Sequence, residues 1–427
     1  MLGLPVFSTP IHQFRNVSKP SEVNSINSYR FKTLRRNKFL LFWCRFFIEL
    51  NALQAIIQLF YLHRGVSMSQ IFYLGIAWSI ATIIFDIPTS MIADKWGRKK
   101  TIVLGVVINI FANLSMFFGY GFIPFFINTF LLSVSFSFFS GIEDAFLFDT
   151  LKEMKQEGVV LKTSGKYGIA AKASKIVTPL FGVLIAGGLT ALQFNLLLGI
   201  NLISSGVALV FGILLVEPKR HIGRKLTHLR LLKETFSLLQ KSPLLRTFAF
   251  NKTFIFIASF VFWKYYQKPL TDMGISVLLL GFLYPIFNSV IILIYSKAEY
   301  IFNRFDKRLI FEFPIWVTLI CSLIFAFSTN KWLSYFVSIF LIFTGIIRDP
   351  FFNQQVQWRL KSQNRSTTGS VMGLFKSFFD IPILLLSGYL ASFGSLAIMS
   401  VPALLSIVTL IFFRINSRDI LLHPIEK

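Results

Sequence analysis

Long apolar runs separated by short polar stretches extend along almost the whole chain. A helix needs roughly 20 apolar residues to cross a hydrocarbon layer about 30 Å thick, and twelve runs are close to that length. Strands of a membrane barrel would instead show short segments of alternating polarity. The pattern therefore predicts an all-α integral membrane protein with twelve transmembrane helices. The predicted spans are 39–62, 70–92, 101–119, 122–149, 166–188, 193–216, 246–267, 274–297, 309–329, 332–350, 367–391 and 395–415.

The longest polar connection, residues 217–245, separates six predicted spans from six others. Its segment "HLRLLKETFSLLQ" places Leu229, Leu232, Phe236 and Leu239 three or four residues apart, which predicts an amphipathic helix at the membrane surface. The predicted domains are a cytosolic tail (1–38), an N-terminal six-helix bundle (39–216), this linker (217–245), a C-terminal six-helix bundle (246–416) and a second cytosolic tail (417–427).

Positive charge is concentrated in alternate loops. The chain has 43 Lys and Arg against 19 Asp and Glu, a net charge of +24. With the N-terminus inside, the inner tails and loops hold 33 basic residues, and the outer loops hold 3, namely Arg64, Lys268 and Lys331. Basic residues accumulate on cytosolic loops, where they also meet anionic lipid headgroups. Both termini are therefore expected in the cytosol. Because the charge does not form one face, a nucleic-acid partner is not indicated.

Two features recur along the chain at intervals of three helices. The tetrapeptide "FDIP" occurs at residues 85–88 in span two and again at 379–382 in span eleven. Together with Pro179 in span five and Pro285 in span eight, it gives spans 2, 5, 8 and 11 one proline each, at which a helix bends. This period predicts a three-helix unit used four times, and hence two pseudo-symmetric six-helix bundles.

The loop between spans two and three carries the most specific motif. The stretch "SMIADKWGRK", residues 90–99, resembles the G-x-L-[AG]-D-[RK]-x-G-[RK]-[RK] signature of the major facilitator superfamily, with Ser90 and Ile92 at the positions that differ. The wider stretches "FDIPTSMIADKWGRKKTIVLG" and "GIEDAFLFDTLKE" resemble bacterial drug and metabolite efflux members of that family. The resemblance covers about residues 39–415 and implies the family's twelve-helix fold, a multi-pass protein of the bacterial inner membrane, and efflux by antiport.

The same loop is a candidate conformational latch. Gly97 permits a turn that other residues resist, and an acid such as Asp94 can accept hydrogen bonds from a helix N-terminus or a basic group of the other bundle. In the resembled family such contacts hold the cytosolic side shut. The simpler alternative is a topology signal combined with a tight turn. The predicted latch residues are Ser90, Asp94, Lys95, Gly97, Arg98 and Lys99.

Charged residues inside predicted spans are unfavourable in a bilayer and therefore indicate function or ion pairing. Most of them fall in spans 1, 4, 7 and 10, which in the resembled family line the central cavity. Arg45, Asp144 and Lys252 each lie about 9 Å from the cytosolic end of their span, at about 1.5 Å per residue. Two alternatives remain open: a proton or substrate-charge site, and a structural ion-pair network at the inner gate. The candidates are Arg45, Glu49, Glu143, Asp144, Lys252, Arg348 and Asp349, followed by Asp86, Asp380 and Lys376.

These patterns favour a secondary active transporter that moves a small organic solute by alternating access, with proton-coupled export as the leading hypothesis. The specific hypothesis is that Asp144 or Glu49 carries the proton and that Arg45 is its switchable partner. Uptake of a metabolite and a transporter-like receptor without transport are the alternatives. No ATP-binding, H-E-x-x-H or G-x-S-x-G motif occurs, so an enzyme is not indicated. No cofactor or metal is expected, and the protein is expected to act as a monomer.

Overall fold

The computed structural model describes residues 28–156, 159–219, 242–359 and 365–420, together with residues 237 and 240. These residues form seventeen α-helices and no strand. The predicted amphipathic helix of the linker lies outside the described residues, apart from 237 and 240. The helices are α1 (Ser28–Ile48), α2 (Ile57–His63), α3 (Met68–Trp96), α4 (Arg98–Phe118), α5 (Phe122–Phe139), α6 (Ile142–Glu153), α7 (Val160–Ile185), α8 (Ala191–Leu214), α9 (Pro243–Trp263), α10 (Gln267–Asp272), α11 (Val277–Ser296), α12 (Ala298–Arg304), α13 (Lys307–Phe327), α14 (Lys331–Phe343), α15 (Asp349–Arg359), α16 (Arg365–Ala391) and α17 (Ser395–Phe412).

Capping residues fix where several of these helices begin. Ser67 and Gln70 form a capping box at the start of α3, in which each side chain accepts a hydrogen bond from the other residue's backbone N–H. Thr190 and Gln193 repeat this arrangement at the start of α8. Each cap satisfies backbone donors that a helix leaves unpaired at its first turn. The span boundaries are therefore set locally as well as by hydrophobicity.

Four of the predicted spans are interrupted helices. Span one is divided into α1 and α2 around residues 49–56, and span four into α5 and α6 at 140–141. Spans seven and ten break at 264–266 and 344–348, and they continue as α10 and α15 past their predicted ends at 267 and 350. Spans 1, 4, 7 and 10 thus share a break. Spans 2, 5, 8 and 11 instead carry their prolines inside continuous helices, α3, α7, α11 and α16. The threefold period that the sequence indicated is therefore visible in both groups of helices.

Nine helical segments of the described chain are long and apolar enough to cross a membrane. They correspond to nine of the predicted spans. Spans one, five and ten do not meet this standard: α1 and α7 carry several basic residues, and α14 of span ten is short. Apolar helices of this length establish a multi-pass membrane protein, whereas the count of twelve stays a prediction.

The two halves of the chain, residues 28–219 and 242–420, touch mainly along two pairs of helices, α3 with α16 and α7 with α11, and also where α2 meets α10. One apolar cluster combines residues of both halves, such as Phe60, Ile71, Tyr266 and Leu270. It lies at the end that carries the connections 64–67, 273–276 and 392–394, which we term the closed end. Among the described residues, the clusters at the opposite end belong to one half each. We term that side the open end.

Candidate functional site

A cavity of about 470 Å³ lies between the two halves. Side chains at the helix breaks contribute to its walls, including Asn51 and Gln54 beside the break of span one and Lys264 at the break of span seven. An interrupted helix exposes backbone and polar side chains in mid-membrane, which is tolerated where they line a cavity. Polar groups from both halves therefore meet at one central site.

The cavity is closed at one end by a reciprocal contact between the halves. The backbone N–H of Gln58 donates to Oε1 of Gln267 at 2.9 Å, and the backbone N–H of Gln267 donates to Oε1 of Gln58 at 3.2 Å. The Gln58 amide also donates to the carbonyl of Trp263. Both glutamines are fully buried. The contact of Gln58 with Gln267 was not predicted from the sequence, although spans one and seven occupy equivalent places in the two halves.

A four-residue ion network forms the N-terminal wall of the cavity. Arg45 contacts Glu49 at 2.5 Å and Glu143 at 3.3 Å, and Lys175 contacts Glu49 at 2.9 Å. Arg45 lies on α1, Glu49 directly follows that helix, and α6 and α7 supply Glu143 and Lys175. Charge-assisted contacts of this length are strong where water is scarce. The structure therefore brings together three predicted candidates, and it adds Lys175.

The arginine does not pair with the predicted aspartate. Asp144 is exposed and forms no ion pair within the described part of the chain, whereas its neighbour Glu143 is buried against Arg45. The helix α6 begins at Ile142, directly after Gly141. The side chains of consecutive residues in a helix point about 100° apart. The break therefore decides whether Glu143 or Asp144 faces Arg45. The depth of a residue along the span does not show which way its side chain points.

A second charged group forms the C-terminal wall. Asp380 is buried, accepts a contact from Lys376 at 2.6 Å, and accepts a hydrogen bond from the Ser79 hydroxyl of the other half at 3.1 Å. Lys264 is also buried, and its ammonium donates to the carbonyl of Ile71 at 3.3 Å. The predicted secondary candidates Asp380 and Lys376 thus line the cavity.

The other predicted charges lie away from the cavity. Lys252 contacts Asp349 at 3.1 Å and Asn353 at 3.1 Å, nearer the open end. Arg348 is fully buried in the C-terminal half, where it donates to the side chain of Asn251 at 2.8 Å and to the carbonyl of Phe311 at 3.0 Å. These contacts join α9, α13 and α15 rather than facing a solute.

Asp86, the remaining secondary candidate, is partly buried on α3. It is not among the residues that line the cavity, and no ion pair of the described chain includes it. Its place two residues before Pro88 in a continuous helix fits a position at a bend.

The predicted latch loop is tied to its own half. Gly97 joins α3 to α4 with φ +111°, a conformation that favours glycine. The Glu217 carboxylate accepts the backbone N–H groups of Arg98 at 2.9 Å and Lys99 at 2.7 Å, which caps the start of α4.

The Arg98 side chain contacts Asp149 at 2.5 Å and also donates to the carbonyl of Ala145. Asp149 and Glu217 were missed by the sequence, although Asp149 lies inside the stretch "GIEDAFLFDTLKE" that carried part of the resemblance. Lys95 is exposed, and the side chains of Ser90 and Asp94 lie outside the description. The latch role stays a prediction.

Several solved structures share this architecture. A bacterial homologue of the human lysosomal transporter Spinster, in an inward-facing and unoccupied conformation, gives a TM-score of 0.70 at 14% identity, with 92% of this chain and 97% of that chain covered. The nucleoside transporter NupG gives 0.69 at 13% identity, with 89% and 97% covered. A D-xylose-proton symporter gives 0.59 at 11% identity, with 92% and 99% covered. At these identities the likeness concerns the fold.

Sequence comparison gives the family. A search of curated proteins found no match. The profile of the Major Facilitator Superfamily, in contrast, matches residues 38–387, which include the motif loop, the cavity walls and most of both halves of the chain. This confirms the resemblance noted from the sequence and indicates a transporter rather than an enzyme. The chain belongs to the Major Facilitator Superfamily.

Proposed function

We propose that the protein is a proton-coupled secondary transporter that exports a small organic solute. The observation that carries this proposal is the central cavity, which both halves line with charged side chains and which, among the described residues, contacts of both halves seal at one end. Export rests on the resemblance to bacterial efflux proteins. Uptake of a metabolite is the alternative direction, and a receptor that binds without transport is the alternative class.

Alternating access requires a seal that can open. The inter-half hydrogen bonds of Gln58 and Gln267 are each worth only about 1 kcal/mol net, and the rest of the seal is the non-directional apolar cluster shared by both halves. At the open end, the described ion pairs each lie within one half, for example Arg98 with Asp149 and Lys252 with Asp349. The halves are therefore free to approach there while they separate at the closed end.

Proton coupling is assigned to the network around Arg45. A buried carboxylate is held charged by a neighbouring guanidinium, and it favours the neutral form once that partner moves away. Arg45, Glu49 and Glu143 lie in one half, so a shift of α1 relative to α6 that favours one of the two Arg45 contacts would leave the other acid more open to protonation. This retains Glu49 from the sequence hypothesis, and it places Glu143 in the role proposed there for Asp144.

The test is transport by the full chain in proteoliposomes with an imposed proton gradient. Glu143→Gln and Glu49→Gln are expected to abolish accumulation against a solute gradient while solute exchange continues, because exchange needs no net proton movement. Asp144→Asn is the matched control, since the neighbouring carboxylate is exposed, and it is expected to retain accumulation. If both neutral variants still concentrate solute, the network is structural. If no solute from a broad panel moves in the native protein, the receptor alternative holds.

The side of the membrane that the open end faces is proposed from the distribution of basic residues. The basic tails and loops favour cytosolic termini and a plasma membrane of bacterial type, which makes the open end cytosolic and the described state inward-open. A reporter enzyme fused to the C-terminus is expected to be active only in the cytosol. Activity on the outer side would overturn this orientation. Opposite flux in right-side-out and inverted vesicles then decides between export and uptake.

A further inference from the structure

The two walls of the cavity differ in charge balance. On the N-terminal wall, Arg45 and Lys175 face Glu49, and Glu143 lies behind Arg45, so cations and carboxylates are equal in number. On the C-terminal wall, Lys264 and Lys376 have only Asp380 between them. The second wall therefore carries an uncompensated positive charge within the part of the cavity that the structure describes.

Lys264 is the cation without a matched partner. Asp380 is engaged by Lys376 at 2.6 Å, and the described chain places no carboxylate within 4.0 Å of the Lys264 ammonium. Among the described residues, the Ile71 carbonyl at 3.3 Å is the one hydrogen-bond acceptor of the Lys264 ammonium, which has three donors. A buried charge in this state is unfavourable unless another group compensates it. A group of the solute that enters the cavity is in a position to compensate the Lys264 charge.

An aromatic ladder adjoins these two lysines. Phe256, Phe260 and Trp263 lie on one face of α9 and stack in sequence, with ring centroids 6.3 and 5.8 Å apart and interplanar angles of 22° and 10°. All three rings line the cavity. The Lys264 ammonium lies 5.0 Å from the Phe260 ring, and that of Lys376 lies 4.9 Å from the Phe256 ring. Cationic groups and flat apolar surfaces are therefore presented side by side.

From this juxtaposition we infer that the transported solute is an organic anion with a flat aromatic body. Its anionic group contacts Lys264 and Lys376, and its ring packs against Phe256, Phe260 and Trp263. The inference rests on the proposed transport function and specifies its substrate class. A charge-assisted contact and ring packing together give both orientation and affinity in a cavity of this size.

The probe is radiolabelled naphthalene-2-carboxylate, with binding to the full chain in nanodiscs measured by equilibrium dialysis. Naphthalene-2-carboxamide has the same shape without the charge, and naphthalene-2-methylammonium carries a positive charge on the same ring. The carboxylate is expected to bind about tenfold or more tightly than either, which corresponds to at least ~1.4 kcal/mol. Decalin-2-carboxylate, which keeps the charge but not the flat ring, is expected to bind more weakly than naphthalene-2-carboxylate. Equal binding of all four compounds, or preference for the ammonium, would overturn the inference.

Variants locate the binding site. Lys264→Met is expected to weaken binding of the carboxylate about tenfold without changing binding of the carboxamide, and Lys264→Arg is expected to restore most of it. Phe260→Leu is expected to reduce binding of the naphthalene compounds more than that of decalin-2-carboxylate. The control is Lys268→Met, since Lys268 is exposed and pairs with Asp272 outside this cavity. A loss with Lys268→Met equal to that with Lys264→Met would contradict the assignment.

The transport function and the anionic substrate class can be disproved independently of each other. If the protein moves other solutes across proteoliposomes but binds naphthalene-2-carboxylate no better than the carboxamide, transport stands and the anionic substrate class is wrong. If naphthalene-2-carboxylate binds through Lys264 but no solute crosses the membrane, the site stands and the transport proposal is wrong.

Discussion

Arg45 and Arg348 are both cations within predicted spans, yet their surroundings give them different roles. Arg45 faces the cavity and contacts two acids from different helices. Arg348 contacts the Asn251 side chain and the Phe311 carbonyl inside the C-terminal half. The sequence predicted that both indicate function or ion pairing, because charge within an apolar run is costly. It could not distinguish them, because partner identity depends on helix rotation and on residues far away in the chain.

Replacing Arg348 with methionine is expected to affect stability more than turnover. The change leaves the Asn251 side chain and the Phe311 carbonyl without their donor, at about 1–3 kcal/mol for each buried acceptor. Thermal unfolding in detergent is expected to show a lower Tm, while transport per folded molecule persists. Lys331→Met, at an exposed helix start, is the control. Unchanged Tm with lost transport would instead place Arg348 in the transport machinery.

At the scale of elements, the breaks in spans 1, 4, 7 and 10 place the cavity residues. The sequence revealed the period of these spans through their charges, but it read each of them as one continuous apolar run. Local signals such as Gly141 are weak, because a glycine is also tolerated inside a membrane helix. The tight turn at Gly97, by contrast, was predicted correctly, since basic residues and a glycine interrupt the apolar pattern there.

The break at Gly141 is expected to be needed for turnover. Its φ of +73° is a left-handed conformation, which costs a residue with a side chain about 1–2 kcal/mol. Gly141→Ala should therefore shift the start of α6 and move Glu143 relative to Arg45, which slows transport. Gly168→Ala, within α7 and with open space around it, serves as the control. Wild-type rates in both variants would show that the break does not position Glu143.

The anchoring of the motif loop is tested by Arg98→Gln. Losing a partly buried ion pair with Asp149, worth about 1 kcal/mol, is expected to reduce turnover roughly fivefold if the loop acts as a conformational element. The protein should still insert and fold, as judged by its yield and elution volume. Lys100→Gln, on the exposed side of α4, is the matched control. Equal rates in the two variants would support the simpler role of a topology signal and turn.

For the molecule as a whole, the two related halves were predictable and the conformation was not. Prolines and charges repeat every three helices, so the sequence carries the symmetry. Which end is closed depends on contacts such as that of Gln58 with Gln267, which are 209 residues apart in the chain. Such contacts differ between the two access states of one sequence, and the sequence alone does not select between them.

The most direct test of alternating access measures two distances between the halves by double electron–electron resonance spectroscopy. After Cys44 and Cys321 are replaced, spin labels at Leu192 and Trp332 report on the closed end, and labels at Lys100 and Tyr300 report on the open end; all four residues are exposed. Solute with a proton gradient is expected to lengthen the first distance and shorten the second. If both distances stay constant during verified transport, or change in the same direction, the halves do not rock and the account is wrong.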